Sequence, residues 1–218
     1  MDDQQPPRMR RSPRQERGRA RVAQILDAAE AIFGAQGYDA ATTNQIAAHA
    51  GVPIGSLYQF FPNKEALFHA VAERYRAEAN AALGAALTPE SAALPPDALA
   101  ERLLGTMVAF GAAHISFTRI VLQAGANDRL ATAAAGILDD ASAQLAAVLA
   151  VRHPTLAEDE RLRAARVAFT AVLALLGLVT VEKARSPADS KAFLTETQAL
   201  LAAYLGALDS RASGRAGK

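Results

Sequence analysis

Between residues 42 and 64, Thr42, Thr43, Ser56, Tyr58, Gln59 and Lys64 place hydroxyl, amide and ammonium groups inside a stretch broken by Gly51, Pro53 and Pro62. Groups of this kind at helix ends suit phosphate oxygens and base edges rather than bond-making chemistry. Hydroxyls and free N–H groups at a helix start bind phosphate, and a glutamine can pair with an adenine edge or reach a phosphate. Catalytic sets are hard to place elsewhere. His49, His69, His114 and His153 form no H-x-x-x-H pair, and no glycine-rich phosphate loop follows a strand. The acidic runs Asp139-Asp140 and Glu158-Asp159-Glu160 read as solvated charge, and the absence of cysteine removes thiolate ligands. No catalytic residue, metal site or cofactor is expected, and the chain does not read as an enzyme.

The elements that must position these groups are helices. Alanine makes up 53 of 218 residues and strand-like alternation is almost absent, so the expected fold is all-α. A first helix is predicted from about Gln15 to Gln36, with Val22, Ile25, Leu26, Ala29, Ile32 and Phe33 as one apolar stripe and Gly37 as its left-handed stop. Thr42 and Gln45 have capping-box spacing for a second helix, Thr43–Ala50, which Gly51 ends. A third, Ile54 to Phe60, stops before Pro62, where Asn63 can cap a fourth running to about Leu87. Two short helices joined by a tight glycine-containing turn match a helix-turn-helix, whose second helix enters the DNA major groove.

The proline-rich stretch Thr88 to Asp97 reads as a boundary, and further helices are predicted near 97–115 (capped by Asp97), 116–125, 128–152, 156–185 and 187–209. The domain organisation expected is therefore a flexible basic arm at 1–14, a helix-turn-helix DNA-binding domain at 15–62 and a connecting helix at 63–87. A ligand-binding and dimerisation domain at 88–209 and a flexible tail at 210–218 complete it. Net charge is +1, yet the first 21 residues hold seven arginines against three acids, suggesting a polyanion partner. The N-terminus carries no apolar signal region, and the longest apolar run, Val167 to Val181, is shorter than the ~20 residues of a membrane span. A cytoplasmic location with no membrane association is expected.

The run Thr42-Thr43-Asn44-Gln45-Ile46-Ala47-Ala48-His49-Ala50-Gly51-Val52-Pro53-Ile54-Gly55-Ser56-Leu57-Tyr58-Gln59-Phe60-Phe61-Pro62-Asn63-Lys64-Glu65-Ala66-Leu67 closely resembles the DNA-binding segment of TetR-family transcriptional regulators. The likeness extends over about residues 18 to 70, including Ile25-Leu26-Asp27-Ala28-Ala29, Phe33 and Gly37-Tyr38. It implies an N-terminal three-helix helix-turn-helix domain followed by a larger C-terminal helical domain that binds ligand and dimerises. Thr42, Thr43, Tyr58 and Lys64 are then expected on phosphates. Val52, Pro53, Ile54, Gly55 and Ser56 form the turn and the start of the recognition helix nearest the bases, with Gln59 one turn on. Arg17, Arg19 and Arg21 are candidates for phosphates or a minor groove. Leu57, Phe61, Leu67 and Phe68 read as core, and Phe60, where the family usually carries Tyr or His, reads as a packing residue.

The resemblance also implies a homodimer through the last two long helices, about 161–185 and 187–209, and a small-molecule cavity. For its lining we expect Thr106, Met107, Phe110, His114, Phe117 and Gln123, closed by Phe169 and Thr170, a mixture of apolar surface and a few polar groups. The function that follows is a homodimeric repressor of a near-palindromic double-stranded operator, released by a small-molecule effector. A TetR-like activator, or a helical carrier or interaction module with a vestigial DNA-binding segment, are the alternatives.

Overall fold

The computed structural model describes residues 13–116, 118, 128–183 and 187–216. Among them are eight α-helices and one short 3-10 turn, with no strand. The chain divides into two compact units, Met1–Val71 and Ala72–Lys218, and the division falls inside a helix.

The first unit holds α1 (Pro13–Gln36), α2 (Thr43–His49), α3 (Ile54–Phe60) and the beginning of α4 (Lys64–Ala86). The α1 stripe delivers Ile25, Ala29 and Phe33 to the interior with no exposed surface. Gly37 at φ 80° ends the helix, its amide bonded to Phe33 O at 2.9 Å. Phe33, Tyr38 and Phe68 meet with ring centroids 5.1 to 5.7 Å apart, and Ile46, Leu57 and Leu67 complete the core at 0% exposure. Truncating any of these large side chains costs ~2–5 kcal/mol.

The turn after α2 is a Schellman stop. Gly51, at φ 63°, donates to Ala48 O at 3.1 Å, and Val52 donates to Ala47 O at 3.0 Å. Pro53 then bars any continuation, and its carbonyl starts α3 by accepting from Ser56 N at 2.9 Å. At α4 the expected cap forms, Ala66 N donating to Asn63 Oδ1 at 2.8 Å.

The second unit contains the rest of α4, the 3-10 turn Pro89–Ala93, α5 (Pro96–Ala113), α6 (Asp128–Arg152), α7 (Glu158–Lys183) and α8 (Pro187–Ala216). Within it α6 packs on α7, α5 on α8, and α7 on α8. Their shared core includes Leu99, Leu103, Leu145, Leu149, Phe169, Val172 and Leu205. Two expectations need correction. Asp97 does not cap α5: Pro95 takes that position, Pro96 follows at the first turn, and Asp97 lies inside it. The chain beyond residue 209 is not a frayed tail, because α8 runs to Ala216 with Ala212 buried and Ser210 and Ser213 bonded to carbonyls one turn back. Most of the helix predicted at 116–125 lies outside the described residues.

A charged knot fastens α6 to α8. Arg152 donates to Asp209 from Nε at 2.7 Å and from Nη2 at 2.6 Å, while its Nη1 serves the carbonyls of Ala92 and Leu94. The buried His153 lies 3.0 Å from the same carboxylate. The guanidinium holds the Asp209 carboxyl below its ordinary range, and burial pushes His153 below its own.

Candidate nucleic-acid interface and ligand cavity

Thr42 forms the complete capping box, its Oγ1 accepting from Gln45 N at 3.2 Å while Gln45 Oε1 accepts from Thr42 N at 2.9 Å. The next residue, Thr43, places its hydroxyl 3.0 Å from the Tyr58 hydroxyl at the surface. This contact joins the start of α2 to the outer face of α3 and brings two of the expected phosphate-binding groups together. Ser56 is half-buried on α3, and Pro53, Ile54, Gly55 and Gln59 are exposed, as Tyr58 is at 49%. Leu57 on the same helix is completely buried, and Phe61 just beyond it is 8% exposed. Burial of those two residues fixes which side of a seven-residue helix faces outward.

Two expectations change at this surface, those for Val52 and Phe60. Val52 is 6% exposed, so its side chain belongs to the core and only the turn geometry it helps set reaches the surface. Phe60 is 40% exposed and is not a packing residue. Lys64 is braced rather than free: Nζ donates to Tyr38 O at 2.8 Å and Asp39 O at 3.1 Å and stands 4.5 Å from the Tyr38 ring centroid. An ammonium has three N–H groups, so one remains for a phosphate. Arg17 and Arg21, four residues apart, share a side of α1, while Arg19 lies on the other side, so the three do not converge.

In the second unit a cavity of about 410 Å³ opens between α4, α5, α6, α7 and the start of α8. Thr106, Met107, Phe110 and Phe169 are on its wall. His114 is not; it ends α5, stacks on Phe110 at 4.4 Å between centroids and lies 3.3 Å from Glu78 Oε2. Thr170 is exposed, because one step along α7 from Phe169 turns the side chain about 100° away. Phe117 and Gln123 lie outside the described residues. The wall is apolar apart from Tyr75, Thr106, Thr118, Ser190 and Lys191. Thr106 donates its hydroxyl to Arg102 O at 2.8 Å, and Thr118 donates to Gly111 O at 3.4 Å. Behind the wall a polar clasp ties α4 to α6: Arg76 Nε and Nη2 reach Asp140 at 2.5 and 2.9 Å, and Asn80 Nδ2 joins at 2.7 Å. These donors hold the Asp140 carboxyl below its ordinary range, the Arg76 bond being the largest cause.

Two family models match this chain: residues 25–71 match "Bacterial regulatory proteins, tetR family", and residues 95–205, half of the chain, match "Tetracyclin repressor-like, C-terminal domain". The chain belongs to the TetR family. It is a DNA-binding transcriptional regulator with a helix-turn-helix and a C-terminal ligand-binding domain. An uncharacterized HTH-type regulator, YxaF of Bacillus subtilis, is 54% identical over 39 residues, a stretch covering 18% of this chain and 20% of that protein. A TetR-family regulator from Streptomyces coelicolor superimposes with a TM-score of 0.62 at 26% identity, over 85% of this chain and 98% of its own. The fatty acid degradation regulator FadR from Bacillus halodurans gives 0.67 at 18% identity, covering 88% and 96%.

The mixture of apolar and polar groups at 103–123 pointed to that stretch for the ligand wall, and about half of the wall comes from helices it did not name. Tyr75, Ala79, Ala82 and Leu83 of α4 contribute, as do Ile137, Leu138 and Ala141 of α6 and Ser190, Lys191 and Leu194 of α8. The sequence carried one usable signal. Tyr75, Ala79 and Leu83 recur at four-residue spacing, an apolar stripe that a mere connector does not need. No described helix is long and apolar enough to cross a membrane.

Proposed function

We propose that this TetR-family regulator is a homodimeric repressor that a small, largely apolar molecule releases from a near-palindromic operator. The observation that carries the reading is the 410 Å³ cavity, large enough for a small molecule and walled by α4. The same helix supplies Lys64 to the first unit and Tyr75, Ala79 and Leu83 to the cavity wall. A ligand that binds better when α4 is displaced shifts the population away from the operator-bound state by its differential affinity. Among the described lining residues Lys191 is the charged one, which favours an amphipathic ligand with an anionic end. In keeping with this, a FadR regulator from Bacillus subtilis, similar in fold at 18% identity and a TM-score of 0.66, was solved in complex with stearoyl-CoA.

Dimerisation is supported by an apolar outer face. Val167, Thr170, Ala174 and Leu178 recur along one exposed side of α7, and Ala192, Ala199, Leu200 and Ala203 along α8. Val167, Leu178 and Leu200 are each more than half exposed, a large unburied apolar surface for one chain. Two-fold pairing here would present two copies of α3 to half-sites about 34–36 Å apart.

The test is fluorescence anisotropy of the full chain against tiled DNA from upstream of its own gene at two salt concentrations, followed by titration of dodecanoate. Salt-steep, sequence-selective binding by two protomers, weakened by the fatty acid, is the expected result. Binding that ignores sequence would sink the repressor reading, and selective binding that no apolar molecule disturbs would sink ligand release.

A further inference from the structure

We infer that α3 reads A·T base pairs, Ile54 packing on a thymine methyl and Gln59 hydrogen-bonding an adenine edge at another position of the half-site. The inference rests on the chain's being a DNA-binding regulator and concerns what its recognition helix asks of the operator.

The sequence of α3, Ile-Gly-Ser-Leu-Tyr-Gln-Phe, holds no charged side chain. The commonest specific contact in a major groove is an arginine or lysine on guanine O6 and N7, and α3 cannot make it. What its outer face does offer is narrow. Ile54, Gly55, Tyr58 and Gln59 are exposed; Ile54 lies one turn before the buried Leu57, and Gly55, Tyr58 and Gln59 lie farther around the helix from it. The Tyr58 hydroxyl is engaged with Thr43, which directs it to the rim where phosphates lie.

Ile54 is 37% exposed and carries neither a donor nor an acceptor. In the major groove the apolar mark that distinguishes one base pair from the others is the thymine C5-methyl. A β-branched side chain is already stiff at χ1, so seating it on that methyl orders little. Gly55 beside it leaves the approach open, since a Cβ added there would meet nothing within 4 Å. Gln59 is exposed, with no hydrogen bond found for its amide among the described residues, and a glutamine pairs with both adenine N6 and N7. Five residues of helix separate Ile54 from Gln59 by ~7.5 Å along the axis and about 140° around it, so the two side chains address different base pairs from different sides of the helix.

The experiment selects fragments bound by the full chain from a random library, then replaces single thymines of the selected half-site by deoxyuridine and single adenines by 7-deazaadenine. Loss of one contacted methyl should weaken binding about fourfold, and loss of one contacted N7 about fivefold. In Ile54→Ala the deoxyuridine effect should vanish while the 7-deazaadenine effect persists, and Gln59→Ala should show the reverse. Both variants should keep the wild-type salt slope, because neither residue touches phosphate. Both side chains are at the surface, and circular dichroism checks that folding is intact. Swaps that matter equally in wild type and variants, swaps that matter nowhere, or guanine contacts in place of these would each overturn the inference. Failure to select any preferred sequence would instead overturn sequence-selective DNA binding itself.

Discussion

Replacing Asp209 with alanine should strand a guanidinium that water reaches poorly. The carboxylate receives two short bonds from Arg152 and lies against His153, and the Arg152 side chain is only 13% exposed. Removing one partner of a buried ion pair costs ~3–5 kcal/mol, because the other charge stays behind unpaired. Two features pull the figure to the lower end. Asp209 is 32% exposed, and Arg152 keeps the carbonyls of Ala92 and Leu94. We therefore expect about 3 kcal/mol, which for a chain of this size lowers the thermal midpoint by about 6–12 °C. Scanning calorimetry on the full chain reads this directly. Asp209→Asn, which preserves shape and one acceptor, should lose roughly half as much. The double variant Arg152→Met, Asp209→Leu should recover part of the loss, since an apolar pair of similar volume leaves no charge to solvate but takes the donor from the Ala92 and Leu94 carbonyls. A single Asp209→Ala variant melting within about 2 °C of wild type would refute the reasoning.

Acid should weaken the same knot in two stages. Burial holds His153 below its ordinary 6.5, so the unfolded chain takes up that proton first and stability falls as pH drops below about 6.5; His153→Gln should flatten this limb of a urea-midpoint titration. Asp209 is held below its ordinary 3.8, so its contribution is present above that value and is lost on further acidification. Tyr58→Phe should weaken binding to all DNA sequences alike and reduce selectivity little, as anisotropy across several sites would show. Gly51→Ala meets no atom within 4 Å yet forces a side chain into φ 63°, so it should destabilise the first unit by ~1–2 kcal/mol, read by chemical denaturation. Leu178→Glu combined with Leu200→Glu should convert the proposed dimer to monomer in light scattering while leaving helicity unchanged.

The first unit was legible because its punctuation is local. Thr42 with Gln45, Gly51 with Pro53, and Asn63 each state a helix boundary within a few residues, and the structure puts caps and stops at those places. What could not be read was which polar groups are already occupied. Lys64 finds its two carbonyl partners 25 and 26 residues earlier in the chain, and Val52 sits at a turn whose inward rotation depends on the Schellman geometry. The cavity was half legible for a similar reason. Met107, Phe110 and Phe169 stand out as large apolar groups, whereas Ala79, Ala82 and Ala141 matter by being small, and among 53 alanines nothing marks those three. Thr170 and His114 lie off the cavity wall because a helix turns adjacent residues to different sides, and no pattern of one helix tells which side its neighbours cover.

The hydroxyls of Thr106 and Thr118 lend the cavity a one-sided polarity. Thr106 spends its proton on the Arg102 carbonyl and Thr118 points its own toward the Gly111 carbonyl, which leaves their oxygens as acceptors. A molecule bearing a hydroxyl or amide hydrogen can be accepted at those two points without disturbing either helix. A ketone or ester oxygen seated in the same places would find nothing to donate to it, unless a threonine first surrendered its bond. At those two points the wall favours a hydrogen-bond donor over an acceptor, whereas Lys191 elsewhere on it favours an acceptor.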